Sequence, residues 1–306
     1  MILEFFNLED FKESIPFTAL GARTCYSSGD LDYLLNDPRV VSREERAKFL
    51  SKLGNYKHFS VFAHSFSYKD LNQIEEEKLN KFIEDELKNL PKHIKAKIIA
   101  LKIASIKFKS NYNPKYPTVI GISLRHYLEE LLEYSEDAYY KAFEKMADYD
   151  IPITPLGQKE NVSLIGLIKD YDGYVVFYID NVSRTMTHQL VRHTALNFSQ
   201  RSQRYVKEDE NYVVIPPAIE ENKEALELFK NAEEIADETY KKLVYDFKIK
   251  REDARFILPH GKRTTIVVSA PLSWIWDFIE KRTEIGAQWE IRKVAFQMKE
   301  LLQEHL

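Results

Sequence analysis

The chain has 306 residues, 44% hydrophobic and 30% charged, enough to bury a large core as one elaborated domain or two small ones. A formal net charge of −4 argues against a general nucleic-acid binder, and a single cysteine, Cys25, excludes an internal disulfide framework and a cysteine-rich zinc site. Nine glycines without a GxGxxG or GxxxxGK pattern argue against a Rossmann site or a P-loop. No long apolar run occurs, and the start "MILEFFNLED" has neither a basic n-region nor a small-residue cleavage site, which reads as cytoplasmic with no membrane partner.

In chain order, "MILEFFNL" reads as a short strand. "SREERAKFLSKL" reads as a helix capped by Ser42, with Glu45 completing a capping box and Phe49 and Leu53 on one face. "HFSVFAHSFSY" alternates apolar and polar residues and reads as a strand. From about residue 70 the chain turns helical and highly charged: "IEEEKLNKFIEDELKNL", the lysine-laced "HIKAKIIALKIASIKFK", then "RHYLEELLEYSEDAYYKAFEKM". "SLIGLIKDYDGYVVFYID" reads as a hairpin turning at Asp-Gly. "NVSRTMTHQLVRH" reads as a helix, and "KEALELFKNAEEIADETYKKLVYDF" as a long amphipathic one, apolar at Leu228, Ala232, Ile235, Leu243 and Phe247. "RTTIVVSA" reads as a strand; "PLSWIWDFIEKR" and "AQWEIRKVAFQMKELLQEHL" read as helices. The irregular alternation implies an α+β fold with a mixed or antiparallel sheet and long helices.

Residues 188–205, "HQLVRHTALNFSQRSQRY", stand out. His188, Arg192, His193, Arg201 and Arg204 lie among glutamines and serines, and no carboxylate interrupts them. On a helix Arg184, His188 and Arg192 share one face, while the extended "FSQRSQRY" sends alternate side chains to opposite sides. Arginine forks suit phosphate, and glutamine amides suit a base edge, so the array fits an anionic nucleotide. A metal site is not supported, because His188 and His193 diverge on a helix. A serine nucleophile at Ser199 or Ser202 lacks a GxSxG elbow.

These residues resemble the flavin-dependent thymidylate synthase family (the ThyX class). Its Arg-His-Arg, seven residues, Ser signature reads Arg192-His193-Thr194 and Ser202 here, followed by Gln203-Arg204-Tyr205. "ARTCY" (22–26), "HFSVFAH" (58–64), "ARFILP" (254–259) and "KRTEIGAQWEIR" (281–292) resemble further family segments. The resemblance implies a family-like part, 1–68 with 174–306, and a mostly helical insertion, 69–173, ending in a hairpin strand. It implies reductive methylation of dUMP to dTMP through FAD, with NADPH and methylenetetrahydrofolate as co-substrates, in a homotetramer.

By the same resemblance, Gln189, Gln200, Arg201, Ser202, Gln203, Arg204, Arg255 and Arg282 bind dUMP, with Arg282 and Ser202 as catalytic positions. Cys25, His58, Ser60, Arg192, His193, Thr194 and Asp277 fall at FAD positions. Thr194 stands for a family arginine, and Pro271, Ser273, Asp277 and Gly286 also depart from the family pattern, so FAD binding is expected to be weak. Two other readings stay open. One is a pyrimidine-nucleotide-binding or pyrimidine-modifying protein without the usual flavin chemistry. The other is a nucleic-acid-binding module using the lysine helix at 92–109.

Overall fold

The computed structural model describes residues 2–88, 107–109, 118–149, 151–208 and 212–306. The centre is a five-stranded antiparallel sheet in the order β4 (Gly157–Gln158), β5 (Val162–Ile168), β6 (Tyr174–Ser183), β8 (Arg263–Pro271), β7 (Asn197–Gln200). The β5–β6 hairpin follows the sequence reading, its turn held by Tyr171 and Gly173 at φ 57° and 69°. Its strands are apolar on both faces because both faces are covered. Val175, Phe177 and Ile179 pack with α13 (Leu272–Thr283) and α14 (Trp289–His305), while Tyr174, Val176 and Tyr178 pack toward α2 (Ile15–Tyr26). The fold is thus α+β with an antiparallel sheet.

A second sheet, β1 (Phe66–Leu71), β3 (Thr118–Ser123) and β2 (Lys107–Lys109), is antiparallel in the order β1-β3-β2. It sits beside a core of Phe11, Leu50, Phe62, Tyr139 and Phe143. That core joins α5 (Arg43–Asn55) to α7 (Leu124–Tyr134) and α8 (Glu136–Lys145). Ser42 caps α5 as expected, its Oγ accepting from the Glu45 amide at 3.4 Å. Glu45 completes no capping box: its carboxylate takes Lys48 at 2.8 Å, and the Ser42 amide bonds the Pro38 carbonyl. A helix α6 spans Gln73–Lys88.

Several local readings are corrected. The N-terminus is not a strand: α1 (Ile2–Phe5) and a 3-10 turn (Leu8–Phe11) replace it, the turn closed by a reciprocal Asn7–Asp10 capping box. "HFSVFAHSFSY" is a strand only from Phe66, because Phe59–His64 coils into a 3-10 turn that buries Val61, Phe62, Ala63 and His64 together. Most of the lysine-rich helix lies outside the described residues, and its end, 107–109, is strand β2. The helix α9 (Arg184–Leu190) ends before Arg192, so Arg184, His188 and Arg192 do not share a helical face.

The long helix α11 (Lys223–Tyr245) follows α10 (Pro217–Glu220) and inverts the expected burial. Leu228 and Ile235 are 72% and 67% exposed, as is Phe247 just beyond the helix at 71%, whereas Glu233, Asp237 and Tyr240 are buried. The reason is electrostatic. Lys262, just before the interior strand β8, is 1% exposed, and Asp237 meets it at 3.2 Å. A buried ammonium is tolerated only with such a partner, so the helix docks by its acidic face. Next, α12 (Arg251–Ala254) leads into β8.

Candidate functional site

The site grows from the segment β6–α9–β7. Ser183 caps α9 by accepting from the Met186 amide at 3.0 Å, and it donates its hydroxyl hydrogen to buried Glu290. The Ser183 amide also donates to Glu290, at 2.7 Å. Gln288 caps α14 in turn, accepting from the amides of Glu290 and Ile291. The "AQWEI" stretch therefore fixes where α9 starts. Past α9, Arg192 and Thr194 are exposed in a loop, and β7 pairs with β8 in the register Asn197↔Ser269, Gln200↔Ile266. Period two then separates the side chains. Ser199 faces His64, and Gln200 faces α9, donating to Thr187 Oγ1 at 2.9 Å.

Beyond β7 the chain turns tightly, with the amides of Tyr205 and Val206 both reaching the Ser202 carbonyl. This gathers one group of expected nucleotide residues. Arg204 places Nε and Nη2 on Glu252 Oε2 at 3.1 and 2.9 Å, and Arg255 Nε donates to the Glu252 carbonyl at 3.2 Å. Arg184 donates to the Arg201 carbonyl at 2.9 Å. Burial lowers its pKa, opposed by Glu208 and assisted by Arg255 and Arg201, so three guanidinium groups share one neighbourhood. Nε of Arg184, Nε of Arg201 and Nε2 of Gln203 are buried without a hydrogen-bond partner among the described residues. Such atoms mark a place built to hold an acceptor.

Gln200, Ser202 and Arg204 open onto a cleft of about 1060 Å³, shared with Cys25, Tyr26, His58 and the flank of α5. Tyr26 Oη and His58 Nδ1 lie 3.0 Å apart, and the Tyr26 and Tyr205 rings 5.1 Å apart. Burial pushes the Cys25 thiol up to about 11, partly offset by Ser199 and the Gln200 amide, so it stays protonated at neutral pH. Ser60 is exposed on the 3-10 turn.

A second group assembles elsewhere. Arg282 Nε donates to His193 Nε2 at 2.9 Å, and the His193 ring meets Phe278 edge-on. A nitrogen that accepts from a guanidinium carries its lone pair, so His193 is neutral with its proton on Nδ1. Burial, then Arg282 and Lys281, hold its pKa below the usual range. Asp277 pairs with Lys281 at 2.7 Å, and Ser273 donates to Asp172 at 2.6 Å. Gln189 is half-buried on α9. Arg282 thus keeps company with His193 and not with the 200–204 run.

Beneath the cleft runs a buried chain that sequence reasoning missed. His64 is fully buried, with Nδ1 2.7 Å from Ser269 Oγ and Nε2 2.8 Å from Ser199 Oγ. Tyr174 donates its only hydroxyl hydrogen to the Ala63 carbonyl at 2.7 Å, so Ser269, 2.8 Å away, must donate to Tyr174. Ser269 then accepts from His64 Nδ1–H, and Ser199 donates to Nε2. A serine donating to a histidine Nε2 has the geometry of an activated nucleophile. Ser199 is only 3% exposed and His64 fully buried, however, so no substrate reaches the pair and it is a structural contact. Gly21 is needed here, because a Cβ would stand 2.5 Å from the His64 ring. Glu252 was also missed, although its place three residues before Arg255 was visible in the sequence.

A family model described as "Thymidylate synthase complementing protein" matches residues 173–306. A flavin-dependent thymidylate synthase from Sulfurisphaera tokodaii is 40% identical over 126 residues, 40% of this chain and 48% of that protein. One from Thermococcus onnurineus is 35% identical over 179 residues, 55% of this chain and 69% of that protein. The chain spans about half the length of most of the curated relatives it matches. Among solved structures, a UMP/dUMP methylase PolB from Streptomyces cacaoi, bound with 5-Br dUMP, aligns with TM-score 0.40 at 22% identity, over 43% of this chain and 67% of that one. That likeness is too distant to argue from. The coverage of the Thermococcus relative decides the matter: this chain belongs to the flavin-dependent thymidylate synthase family.

Proposed function

We propose that the chain catalyses reductive methylation of dUMP to dTMP, with methylenetetrahydrofolate supplying the carbon, NADPH the reducing equivalents and FAD as cofactor. The observation that carries this reading is Arg204, which lines a cleft with Ser202, Cys25 and His58 and shares Glu252 with Arg255. Arg204 and Arg255 bind the nucleotide phosphate, assisted by Arg201 and the buried Gln203 amide. Gln200 and Gln189 read the base edge. Ser202 accepts from the Arg204 amide at 3.3 Å and so orients the run, without itself attacking. Arg282, steadied by neutral His193, stabilises negative charge that builds on the pyrimidine as C5 becomes nucleophilic.

The residues present fit FAD in part. Tyr26, Phe49, Tyr56 and Tyr205 give the cleft flat surfaces, and exposed Arg192 makes no ion pair among the described residues. Asp277 is neutralised locally by Lys281. Cys25, His58, Ser60, Arg192, His193 and Thr194 would hold the cofactor, which when bound supplies hydride transfer between NADPH and the pyrimidine. Ser273, tied to Asp172, offers it nothing. That bond favours the second reading, nucleotide binding with weak or lost flavin chemistry.

The two residue groups on one protomer, and the exposed Leu228 and Ile235 of α11, support a homo-oligomer that completes the site, a tetramer by family resemblance. We read 1–68 with 174–306 as the family part and 69–173 as an elaboration, although β3 of that stretch pairs with β1. Among the described residues no helix is long and apolar enough to cross a membrane. We place the protein in the cytoplasm. Titration with FAD, followed by flavin fluorescence quenching with and without dUMP, tests the reading. Saturable quenching supports it; dUMP binding without any quenching leaves only the second.

A further inference from the structure

The α5 flank of the cleft carries charge that the nucleotide does not need. Lys48 and Lys52 of α5, Lys57 just past its end, and Arg39 of α4 (Pro38–Val41) all line it. Lys48 is balanced by Glu45 at 2.8 Å. Lys52 and Lys57 make no ion pair among the described residues. Arg39 lies near Asp37, but the carboxylate oxygens of Asp37 are taken by Arg23 and by the Arg39 amide.

Lys57 adds an independent observation. It sits at φ 54°, where the Lys57 amide bonds the Gly54 carbonyl at 2.8 Å and the His58 amide bonds the Leu53 carbonyl at 3.0 Å. This helix ending favours glycine at the left-handed position, and a lysine there is strained. Strain kept beside a cleft signals use of the side chain.

We propose that this wall is a subsite for a chain bearing carboxylates at intervals, the γ-glutamyl tail of the folate co-substrate. The inference rests on the function proposed above and deepens it. A dinucleotide's phosphates are the competing source of anions, and two features argue against them. Phosphate favours converging arginine forks, whereas this wall has a single arginine, Arg39, among three lysines, and the cleft's other arginine, Arg204, is held by Glu252. The lysines instead are strung out, Lys48 and Lys52 about 6 Å apart along the helix axis. A γ-linked glutamate, two methylenes longer than an ordinary residue, repeats its free carboxylate at about that spacing. Point charges at such intervals fit successive carboxylates better than one compact pyrophosphate.

The test is anaerobic calorimetric binding of tetrahydrofolate with one or five glutamates to the full chain with FAD and dUMP, in the parent, Lys52→Gln and Lys57→Gly. The parent should bind the pentaglutamate about tenfold tighter at low salt, narrowing to about twofold at high salt, because exposed pairs are screened. Each variant should lose much of that preference and leave monoglutamate, FAD and dUMP binding unchanged. Lys57→Gly should keep or raise the Tm, separating ligand loss from misfolding. Equal affinity for both tails in the parent overturns the inference alone. Variants that weaken FAD as much as the pentaglutamate assign the wall to phosphates and overturn it too. A parent that binds neither dUMP nor the monoglutamate overturns the proposed function, and this inference with it.

Discussion

Arg204 sets two nitrogens on a single oxygen of Glu252, at 3.1 and 2.9 Å, while the backbone carbonyl of Glu252 receives Arg255. One acidic residue thereby holds both of the arginines proposed to bind the nucleotide, and under that proposal its charge competes with the phosphate for Arg204. Arg204→Ala and Arg255→Ala should each remove most of the rise in Tm that dUMP produces, since a ligand bound only by the native state stabilises it by mass action. Glu252→Gln keeps an acceptor and removes the competing charge. It should tighten dUMP by about two- to fivefold at low salt. A Glu252→Gln variant that behaves like Arg204→Ala would show that the carboxylate helps the ligand.

Stability should depend on pH through His64. Burial holds its pKa at about 3, against 6.5 for a free histidine. Between those values the unfolded chain binds the proton and the folded chain does not. The contribution is therefore complete above about pH 6.5 and is lost as pH falls toward 3, at no more than about 1.4 kcal/mol per pH unit. Burial lowers His188 and His193 in the same direction, adding to the slope. Denaturant unfolding between pH 5 and 6.5 should show a shallower slope in His64→Asn, at the cost of lower overall stability. An unchanged slope would refute the assignment.

Cys25 should be inert. With its thiol pushed up to about 11, the thiolate is scarce at pH 7.5. Labelling of the native protein by a thiol-disulfide reagent should run at least about a hundredfold slower than for a free thiol. Cys25→Ser should retain activity, since the proposed reaction needs no protein nucleophile. Rapid labelling of the native state would contradict the burial argument.

Restoring family arginines should have unequal effects. Thr194 is exposed in the loop beside Arg192 and His193, so Thr194→Arg should tighten FAD, by about tenfold if one charge-assisted bond returns. Ser273 donates to Asp172 at 2.6 Å, so an arginine placed there meets that carboxylate first. Ser273→Arg should change FAD affinity by less than about threefold. Fluorescence titration separates the two outcomes.

The sequence revealed those parts whose signal is local. The β5–β6 hairpin announced itself by β-rich runs and an Asp-Gly turn, and α5 by its serine cap. Where tertiary contacts decide, local pattern failed. Leu228 and Ile235 of the apolar stripe of α11 point outward because Lys262 draws Asp237 inward, and of that stripe only Leu243 packs against buried Tyr240. "MILEFFNL" coils because Asn7 and Asp10 close a capping box. The 200–204 run could be singled out from its charge, but Glu252, which organises it, and His64, which underlies it, depend on contacts 48 and 135 residues apart. Glu290 read as part of a motif without a role, and its role is the clamp on Ser183.

Under the proposed function this chain turns dUMP into dTMP through a bound flavin. The most direct measurement is product analysis after mixing the protein anaerobically with FAD, NADPH, methylenetetrahydrofolate and dUMP, with Arg282→Ala and Arg204→Ala run in parallel. The parent should yield dTMP, formed in step with NADPH oxidation. Either variant should yield little or none, with Arg282→Ala still binding dUMP. NADPH oxidation without dTMP, or no turnover although FAD and dUMP both bind, would contradict the proposed function.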